Sequence, residues 1–392
     1  MQRKNSLNMV YGAVQGLYWM GICVCINFAA LFLQSGGYSN SELGIIMAFG
    51  NVAGFVISPL LASVVDSSKR ITLYHCLWVL LAVQALCLAF FPSRSLPLSL
   101  LYCLYMGCVI AVNPLNTQMC TELEQLCGGI NYGAARGVGS VSFSAMALVM
   151  GLLTKKYGAS VLPLSGLVSV FAQGIVLYVI TRRTGMRPTA AQPQRSGEQA
   201  ASLAGFIRGN GRFCVLMLGI AMLFFSCNLS NNFLINIARN VGGDEASLGG
   251  INAFMALTEV PVMFLYDRMA RRIGCPATIR IAAAAFVAKA LGIALAGSVP
   301  ALYAAHALQA LSFAVITPAM VRYVNLYISS KDSAKGQSIS YNMTTLGSIF
   351  ASCLGGVMFD SMSVRAALLT GTAVAAVGAA VCLVFARPAD RS

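Results

Sequence analysis

Residues 43–66 read LGIIMAFGNVAGFVISPLLASVVD. The run carries no charge before Asp66, and as a helix it is long enough to cross about 30 Å of hydrocarbon. Its beginning, LGIIMAF, agrees at five of seven positions with LGGINAF at residues 248–254. Both segments continue through a proline, Pro59 or Pro261, to an aspartate that is followed by basic residues. The repeat indicates a duplicated unit of membrane-spanning helices.

The composition of the whole chain indicates a membrane protein. Of 392 residues, 58% are hydrophobic and 10% are charged, whereas a soluble domain carries roughly 25% charged residues. We predict an all-α membrane protein with 12 transmembrane helices. The predicted spans are 9–33, 43–65, 71–91, 97–120, 134–154, 160–181, 212–236, 247–267, 277–297, 300–324, 338–358 and 364–386. The remaining residues form short connections, which leaves no room for a soluble catalytic domain.

A polar segment at residues 182–211 separates six predicted spans from the next six. We therefore predict an N-terminal six-helix bundle at 1–181, a cytoplasmic linker loop at 182–211 and a C-terminal six-helix bundle at 212–392. The internal repeat predicts that the two bundles are related by a pseudo-twofold axis.

The basic residues that give the net charge of +14 are distributed unevenly between the two sides of the membrane. With both termini in the cytoplasm, 20 of the 26 Lys and Arg residues fall on the cytoplasmic side, five fall outside, and Lys289 lies within a span. This distribution obeys the positive-inside rule, so the basic residues do not indicate nucleic acid as a partner. The 13 cysteines form no C-x-x-C pair and are expected to be free thiols, and no metal or other cofactor is expected.

The six-plus-six arrangement, the basic central loop and the acidic and basic turn after span two resemble the major facilitator superfamily of secondary transporters. That superfamily has a G-x-x-x-D-R-x-G-R-R turn, of which Asp66, Lys69 and Arg70 remain here. The corresponding turn after span eight has an aspartate and three arginines. These charged residues are expected to gate the cytoplasmic side in the outward-facing state. The gating set is Asp66, Lys69, Arg70, Asp267, Arg268, Arg271 and Arg272.

Three segments are similar to the lactose permease group and its relatives that carry oligosaccharides, nucleosides or phenylpropionate. YGAARGVGS at 132–140 resembles the segment with the substrate-binding arginine of that group, here Arg136. ALTEVPVMFLYDRMARRIG at 256–274 resembles span eight of the relatives, with Glu259 as the embedded acid. VAKALG at 287–292 places Lys289 where the group has an arginine tied to proton coupling.

The chain departs from this group at two positions. The acid of span four that partners the arginine in the permease is replaced by the amide-bearing segment Asn116 to Gln118. The histidine of span ten falls at Gln309, with His306 one helical turn earlier. The resemblance therefore does not carry over galactoside recognition.

Glu259 and Lys289 are the two ionisable residues that lie deepest in the predicted spans. A charge at this depth costs a few kcal/mol on insertion scales, so it faces protein or water and has a role. We expect Glu259, Lys289 and His306 to take part in proton coupling, with Lys289 holding Glu259 ionised. A structural ion pair between neighbouring helices is the alternative, and a buried histidine satisfied by its neighbours is the alternative for His306.

Polar residues in spans one, four, five, seven and ten are candidates for solute binding, because guanidinium and amide groups suit hydroxyls and heterocycles. Hydrogen bonding between helices explains the amides equally well, and an arginine at the membrane surface is the alternative for Arg136. The candidates are Arg136, Asn228, Asn231, Asn232, Asn27, Asn113, Asn116, Gln118 and Gln309.

We predict a secondary active transporter that moves a small polar organic solute, a sugar, a nucleoside or an aromatic acid, by proton-coupled uptake and alternating access. A proton-driven drug or metabolite exporter is the alternative. A membrane-embedded enzyme is disfavoured because two histidines and one deep acid provide neither a metal site nor paired carboxyl groups. We expect a monomer, in contact with the lipid bilayer, in a bacterial plasma (inner) membrane.

Overall fold

The computed structural model describes residues 2–68, 70–91, 96–127, 132–184, 203–329 and 331–387. Every regular element within these ranges is a helix. The α-helices are α1 Gln2–Ile22, α2 Ala29–Ser35, α3 Asn40–Ser67, α4 Leu73–Ala89, α5 Leu96–Cys127, α6 Tyr132–Tyr157, α7 Val161–Thr184, α8 Leu203–Gly209, α9 Gly211–Asn232, α10 Leu234–Asn240, α11 Glu245–Ile273, α12 Cys275–Leu295, α13 Val299–Ala307, α14 Phe313–Tyr327, α15 Ser333–Ser361 and α16 Val364–Phe385. A π-helical turn, Cys23–Asn27, follows α1, and a 3₁₀ turn, Leu308–Ala310, follows α13.

Within the described ranges, 11 helical segments are long and apolar enough to cross a membrane. One of them, Val299–Tyr327, joins α13 to α14 through the 3₁₀ turn. The predicted third span corresponds to α4, which has 17 residues and is apolar but shorter. The all-helical prediction is confirmed, whereas the total of 12 spans and the side on which the termini lie stay predictions.

The chain divides into two compact units. The first contains Met1–Gln194 and Leu248–Ala256, and the second contains Arg195–Ser247 and Leu257–Ser392. The border between them crosses α11, so this helix contributes to both units. Residues 185–202 of the predicted linker lie outside the described part of the chain. The predicted boundaries at 181 and 212 stay predictions.

Side chains at the ends of the long helices satisfy the backbone groups that a helix leaves without partners. At the start of α3, the Ser39 hydroxyl accepts from the Glu42 backbone N–H, and the Glu42 carboxylate accepts from the Ser39 backbone N–H. At the start of α11, the Asp244 carboxylate accepts from the Ser247 backbone N–H at 2.9 Å. Such capping boxes fix where a helix begins, and hence which residues lie half-way along it.

The core of the second unit is built around α9, which packs against α12, α15 and α16. Phe224 of α9 lies 6.0 Å from Phe286 of α12 and 5.9 Å from Phe313 of α14, measured between ring centroids. Large apolar side chains on the outer faces are exposed, among them Phe264 at 68%. This distribution suits a lipid environment, in which outward-facing apolar groups are not penalised.

Glycines allow close packing of α3 against α5 in the first unit. A Cβ atom added at Gly54 would lie 2.6 Å from the Cβ atom of Ile110, a separation that real side chains do not tolerate. At Gly137 of α6, by contrast, no described atom lies within 4 Å of an added Cβ atom. Small residues at such contacts let helix backbones approach each other.

We expect Gly54→Ala to lower the free energy of unfolding by about 1–3 kcal/mol, because the new methyl group overpacks the contact with Ile110. Gly137→Ala is the matched control and should not lower stability. The apparent melting temperature of the purified variants in detergent measures both effects. An unchanged melting temperature for Gly54→Ala would show that α3 and α5 are less closely packed than described.

Candidate functional site

A break in the helix of span ten positions two polar side chains inside the second unit. The α-helix α13 ends at Ala307, the 3₁₀ turn follows, and α14 starts at Phe313. The Ser312 hydroxyl donates to the Leu308 carbonyl oxygen at 2.9 Å and satisfies part of the interrupted backbone. His306 and Gln309, on either side of the transition, are 0% and 4% exposed. Short 3₁₀ segments within helices often mark functional positions.

Gln309 joins the two deepest ionisable residues. Its amide oxygen Oε1 accepts a hydrogen bond from Lys289 Nζ at 2.5 Å, and its Nε2 donates to Glu259 Oε1 at 2.7 Å. Lys289 is buried, with 2% of its surface exposed, whereas Glu259 is partly exposed. We refer to Glu259, Gln309 and Lys289 as the polar chain. It connects α11, the 3₁₀ turn and α12 within one unit.

In the polar chain, the Gln309 amide lies between Glu259 and Lys289. An amide is suited to the position between them because its oxygen accepts from the ammonium and its nitrogen donates to the carboxylate. With Glu259 ionised and Lys289 charged, the chain has no net charge, and protonation of Glu259 changes its charge to +1. Protonation of the carboxyl group in this arrangement can thus affect the buried cation through one intervening side chain.

Cys227 of α9 adjoins the polar chain, a position that the sequence did not reveal. Its Sγ atom lies 4.0 Å from Lys289 Nζ and 3.7 Å from Asn231 Nδ2, within hydrogen-bonding range for sulfur. Its spacing of four residues from Asn231 places both on one helical face, which is the signal that could have indicated it. The cysteine is therefore part of the polar surroundings of Lys289 as well as a buried thiol.

Several polar atoms near the polar chain have no hydrogen-bond partner among the described residues. Both ring nitrogens of His306 are buried and unpaired, as is Oδ1 of Asn231. His306 lies on α13, one helical turn before Gln309, and α13 packs against α12, which carries Lys289. Buried polar atoms are rarely left unpaired in proteins, and each such group calls for an explanation.

The remaining asparagines of α9 are held by protein contacts. Asn232 Nδ2 donates to Ser352 Oγ of α15 at 3.0 Å, which is a hydrogen bond between helices. Asn228 Nδ2 donates to the Phe224 carbonyl oxygen of its own helix at 2.9 Å. A solute-binding role for these two residues stays a prediction. Asn232 forms the hydrogen bond between helices that was the alternative to this role.

In the first unit, Arg136 near the start of α6 lies over an aromatic ring. Its guanidinium carbon is 3.8 Å from the centroid of Trp19, and its Nη1 donates to Ser140 Oγ at 2.9 Å. Gly139 permits this arrangement, because a Cβ atom there would meet the Trp19 ring at 2.5 Å. Stacking on an indole holds the guanidinium in a fixed orientation. The predicted solute contact of Arg136 remains untested.

The other candidates of the first unit lie on α5 and on the π-helical turn. Asn27 ends that turn, and its Nδ2 donates to Asn252 Oδ1 at 2.9 Å. Asn116 is 2% exposed, its backbone oxygen accepts from the Tyr11 hydroxyl at 3.0 Å, and its Nδ2 is buried without a partner among the described residues. Asn113 and Gln118 are partly exposed on α5. Their solute-binding roles stay predictions.

The predicted gating residues that the structure describes lie in or directly after α3 and in the second half of α11. Asp66 belongs to the last turn of α3, Arg70 is exposed, and Lys69 lies outside the described residues. Asp267 of α11 forms an ion pair with Arg322 of α14, Nη1 to Oδ1, at 3.1 Å. The arginines that follow Asp267 are all exposed, namely Arg268, Arg271 and Arg272. Sequence reasoning missed Arg322 because it is distant in the chain.

We expect Asp267→Asn to change the free energy of unfolding by less than about 1 kcal/mol, because the Asp267 side chain is 70% exposed and exposed ion pairs contribute little. If the pair gates transport, the variant should change the transport rate several-fold. Arg322→Gln alone and the double variant complete a double-mutant cycle. Additive changes in the logarithm of the transport rate across the cycle would contradict a shared gating role.

The described residues contain no group of three or more His, Cys, Asp or Glu side chains arranged to hold a metal ion. The site is thus described by its hydrogen-bonding groups: one carboxyl, one ammonium, one imidazole, one thiol and several amides. Such groups can bind a polar solute or transfer a proton.

Comparisons with known proteins agree on the class of protein. The model of the MFS_1 like family matches residues 13–369. The maltose permease of Geobacillus stearothermophilus is 22% identical over 351 residues, which cover 89% of this chain and 86% of the permease. Among solved structures, the nucleoside transporter NupG aligns with a TM-score of 0.80 and 15% identity, covering 98% of this chain and 99% of NupG. A bacterial homolog of the human lysosomal transporter Spinster, in an inward-facing and unoccupied conformation, aligns with a TM-score of 0.71 and 12% identity, covering 98% and 97% of the two chains.

Proposed function

The chain belongs to the MFS_1 like family of membrane transporters, and on that basis we propose that it takes up a small polar organic solute together with protons by alternating access. It is a multi-pass membrane protein, and the predicted relationship to the major facilitator superfamily is confirmed. The proposal adds the direction of transport, the coupling ion and the class of solute.

The proposed topology has 12 spans with both termini in the cytoplasm. Two six-helix bundles, 1–181 and 212–392, would be related by a pseudo-twofold axis and connected by the linker at 182–211. The excess of basic residues on the predicted cytoplasmic side supports this orientation, and the repeat at Leu43 and Leu248 supports the duplication. We propose the plasma membrane as the location and a monomer as the working unit.

The polar chain is the observation that supports proton coupling. Glu259 lies half-way along α11, beside Pro261, whose missing N–H frees a backbone carbonyl within the span. Glu259 would bind the proton, and Gln309 would transmit the change of charge to Lys289. Solute and proton would then be coupled because both act on the same buried hydrogen-bond chain.

Sugars and nucleosides are the proposed solutes that best suit the site. The amide-rich surroundings of the polar chain suit hydroxyls and heterocycles, and the similar proteins include a maltose permease and a nucleoside transporter. These similarities are low in identity, so they support the class of solute without identifying it. The aromatic acids of the sequence-based prediction remain part of the panel to be tested.

Transport by cells that express the protein tests the proposal. We expect labelled uridine or maltose to accumulate when the external medium is acidified and to be lost when a protonophore is added. Cells that carry the empty vector are the control. Net extrusion of a preloaded solute, without uptake of any member of the panel, would instead support the exporter reading.

A further inference from the structure

Three buried polar atoms of His306 and Asn231, which have no partner among the described residues, form a cluster beside the polar chain. His306 is 0% exposed and both of its ring nitrogens lack a partner among the described residues. Asn231 Oδ1 is also buried and unpaired, and the Nδ2 atom of the same side chain contacts Cys227 Sγ at 3.7 Å. Lys289 lies between the two sides, since it contacts Cys227 and Gln309, and His306 lies one helical turn before Gln309.

Lys289 also has bonding capacity left. An ammonium group carries three N–H donors. One is used at 2.5 Å by Gln309 and a second makes the long contact of 4.0 Å with Cys227. The third N–H has no partner among the described residues. Donors and acceptors that are unpaired in a buried site each cost about 1–3 kcal/mol, so a molecule that pairs with these atoms removes that cost.

We infer that Asn231, His306 and the third N–H of Lys289 recognise the solute, and that they take a neutral group that presents a hydrogen-bond donor beside an acceptor. The inference rests on the proposed function and narrows its class of solute. It moves His306 from the predicted proton-coupling role to solute recognition. Asn231 then determines specificity, because its Oδ1 atom requires a donor from the solute.

The unpaired atoms explain why the group must be neutral and must also donate. Asn231 Oδ1 is an acceptor, so it requires a donor from the solute, while Lys289 requires an acceptor. A carboxylate only accepts and leaves Asn231 Oδ1 unpaired. A neutral group that both donates and accepts can pair with Asn231 Oδ1 and Lys289 Nζ at once.

Two kinds of solute share this chemistry. A sugar hydroxyl both donates and accepts, and the edge of a pyrimidine base presents an N–H beside a carbonyl. The separate components of a nucleoside show which of the two groups is recognised. Uracil carries only the base edge, and ribose carries only the hydroxyls. An aromatic carboxylate such as 3-phenylpropionate presents neither combination.

The experiment measures the thermal unfolding of the purified full-length protein in detergent at one pH, with maltose, ribose, uracil, uridine or 3-phenylpropionate. At least one neutral compound should raise the melting temperature, and 3-phenylpropionate should not. Asn231→Leu and His306→Leu should weaken binding of that compound about tenfold or more. Without ligand, both variants should unfold at the wild-type temperature or above it. His306→Leu removes two unpaired buried atoms, and Asn231→Leu removes one together with only the long contact to Cys227 at 3.7 Å.

Asn232→Leu is the matched control on the same helix. Asn232 is paired with Ser352 Oγ at 3.0 Å, so its removal should lower the melting temperature of the unliganded protein. The inference is overturned if Asn231→Leu and His306→Leu destabilise the unliganded protein as this control does, or if the variants keep the full ligand shift, as they would if the cluster held only water. It is also overturned if 3-phenylpropionate gives the largest shift or no neutral compound gives one.

This outcome is separable from a failure of the proposed function. The binding measurement uses no pH gradient, so it is independent of proton coupling. If the neutral compound binds normally but acid does not drive its accumulation, proton coupling is contradicted and the inference about recognition is not. If acid drives the accumulation of an aromatic acid, proton coupling is supported and the inference about recognition is contradicted.

Discussion

Replacing Glu259 with glutamine is expected to abolish acid-driven accumulation of the solute while leaving its exchange at equal pH. The amide is nearly isosteric with the carboxyl group and keeps an oxygen that can accept from Gln309 Nε2, so the polar chain can still form. It cannot release a proton, so a pH gradient no longer performs work on the solute. With one proton per solute, a gradient of about one pH unit supports about tenfold accumulation, and the variant should show none.

Proteoliposomes provide the measurement, because the pH on both sides is set by the experimenter. Accumulation is measured with an imposed gradient, and exchange is measured with labelled and unlabelled solute at the same pH. Glu245→Gln is the matched control on the same helix, since Glu245 pairs with Arg239 at 2.7 Å and lies outside the polar chain. Accumulation that persists in Glu259→Gln would show that proton coupling does not require Glu259.

The two ends of the polar chain could be predicted from the sequence, and the connection between them could not. Charges are rare within apolar spans, so Glu259 and Lys289 stand out on composition alone. The contact through Gln309 depends on a 3₁₀ turn, Leu308–Ala310, that changes the rotation of span ten. Hydropathy does not report such a turn, because span ten as a whole remains apolar enough to cross a membrane.

The asparagines of α9 illustrate a second limit of the sequence. Regular helical spacing places Asn228, Asn232 and Asn236 on one face, with Asn231 beside them. In the structure α9 ends at Asn232, and Asn236 belongs to α10, so the common face is interrupted. Asn232 contacts Ser352, whereas its neighbour Asn231 contacts Cys227. Which amide meets a partner depends on how the helices pack, and that is a tertiary property.

The family and the fold class were predictable for a different reason. Spans, a central polar segment and an internal repeat are properties of long stretches, so local errors do not alter them. The match of the MFS_1 like family to residues 13–369 covers the same stretch. Positions of individual side chains depend instead on helix register, turns and bends, so the sequence did not predict the amide bridge of Gln309 between Glu259 and Lys289.

Gln309→Leu is expected to cause the largest loss of stability among single substitutions at the site. The leucine removes the acceptor at 2.5 Å from Lys289 Nζ and leaves an ammonium group that is 2% exposed without its main partner. Breaking one side of a buried charged contact typically costs about 3–5 kcal/mol. We therefore expect a marked drop in melting temperature. Gln337→Leu, which removes an amide that bonds Asn325 at 3.1 Å in an exposed position, is the control and should have a small effect.

Adding Lys289→Met to Gln309→Leu should recover much of the lost stability, because the double variant contains no unpaired buried ammonium. Apolar residues of similar volume often replace buried ionic contacts without loss of stability. The difference between the double variant and the sum of the single variants gives the coupling energy of the contact. A double variant that is no more stable than Gln309→Leu would mean that Gln309 stabilises the unit through its bond to Glu259 and not by satisfying Lys289. Full stability of Gln309→Leu alone would mean that Lys289 reaches other acceptors, and the polar chain would then lose its role as the connection between the two charges.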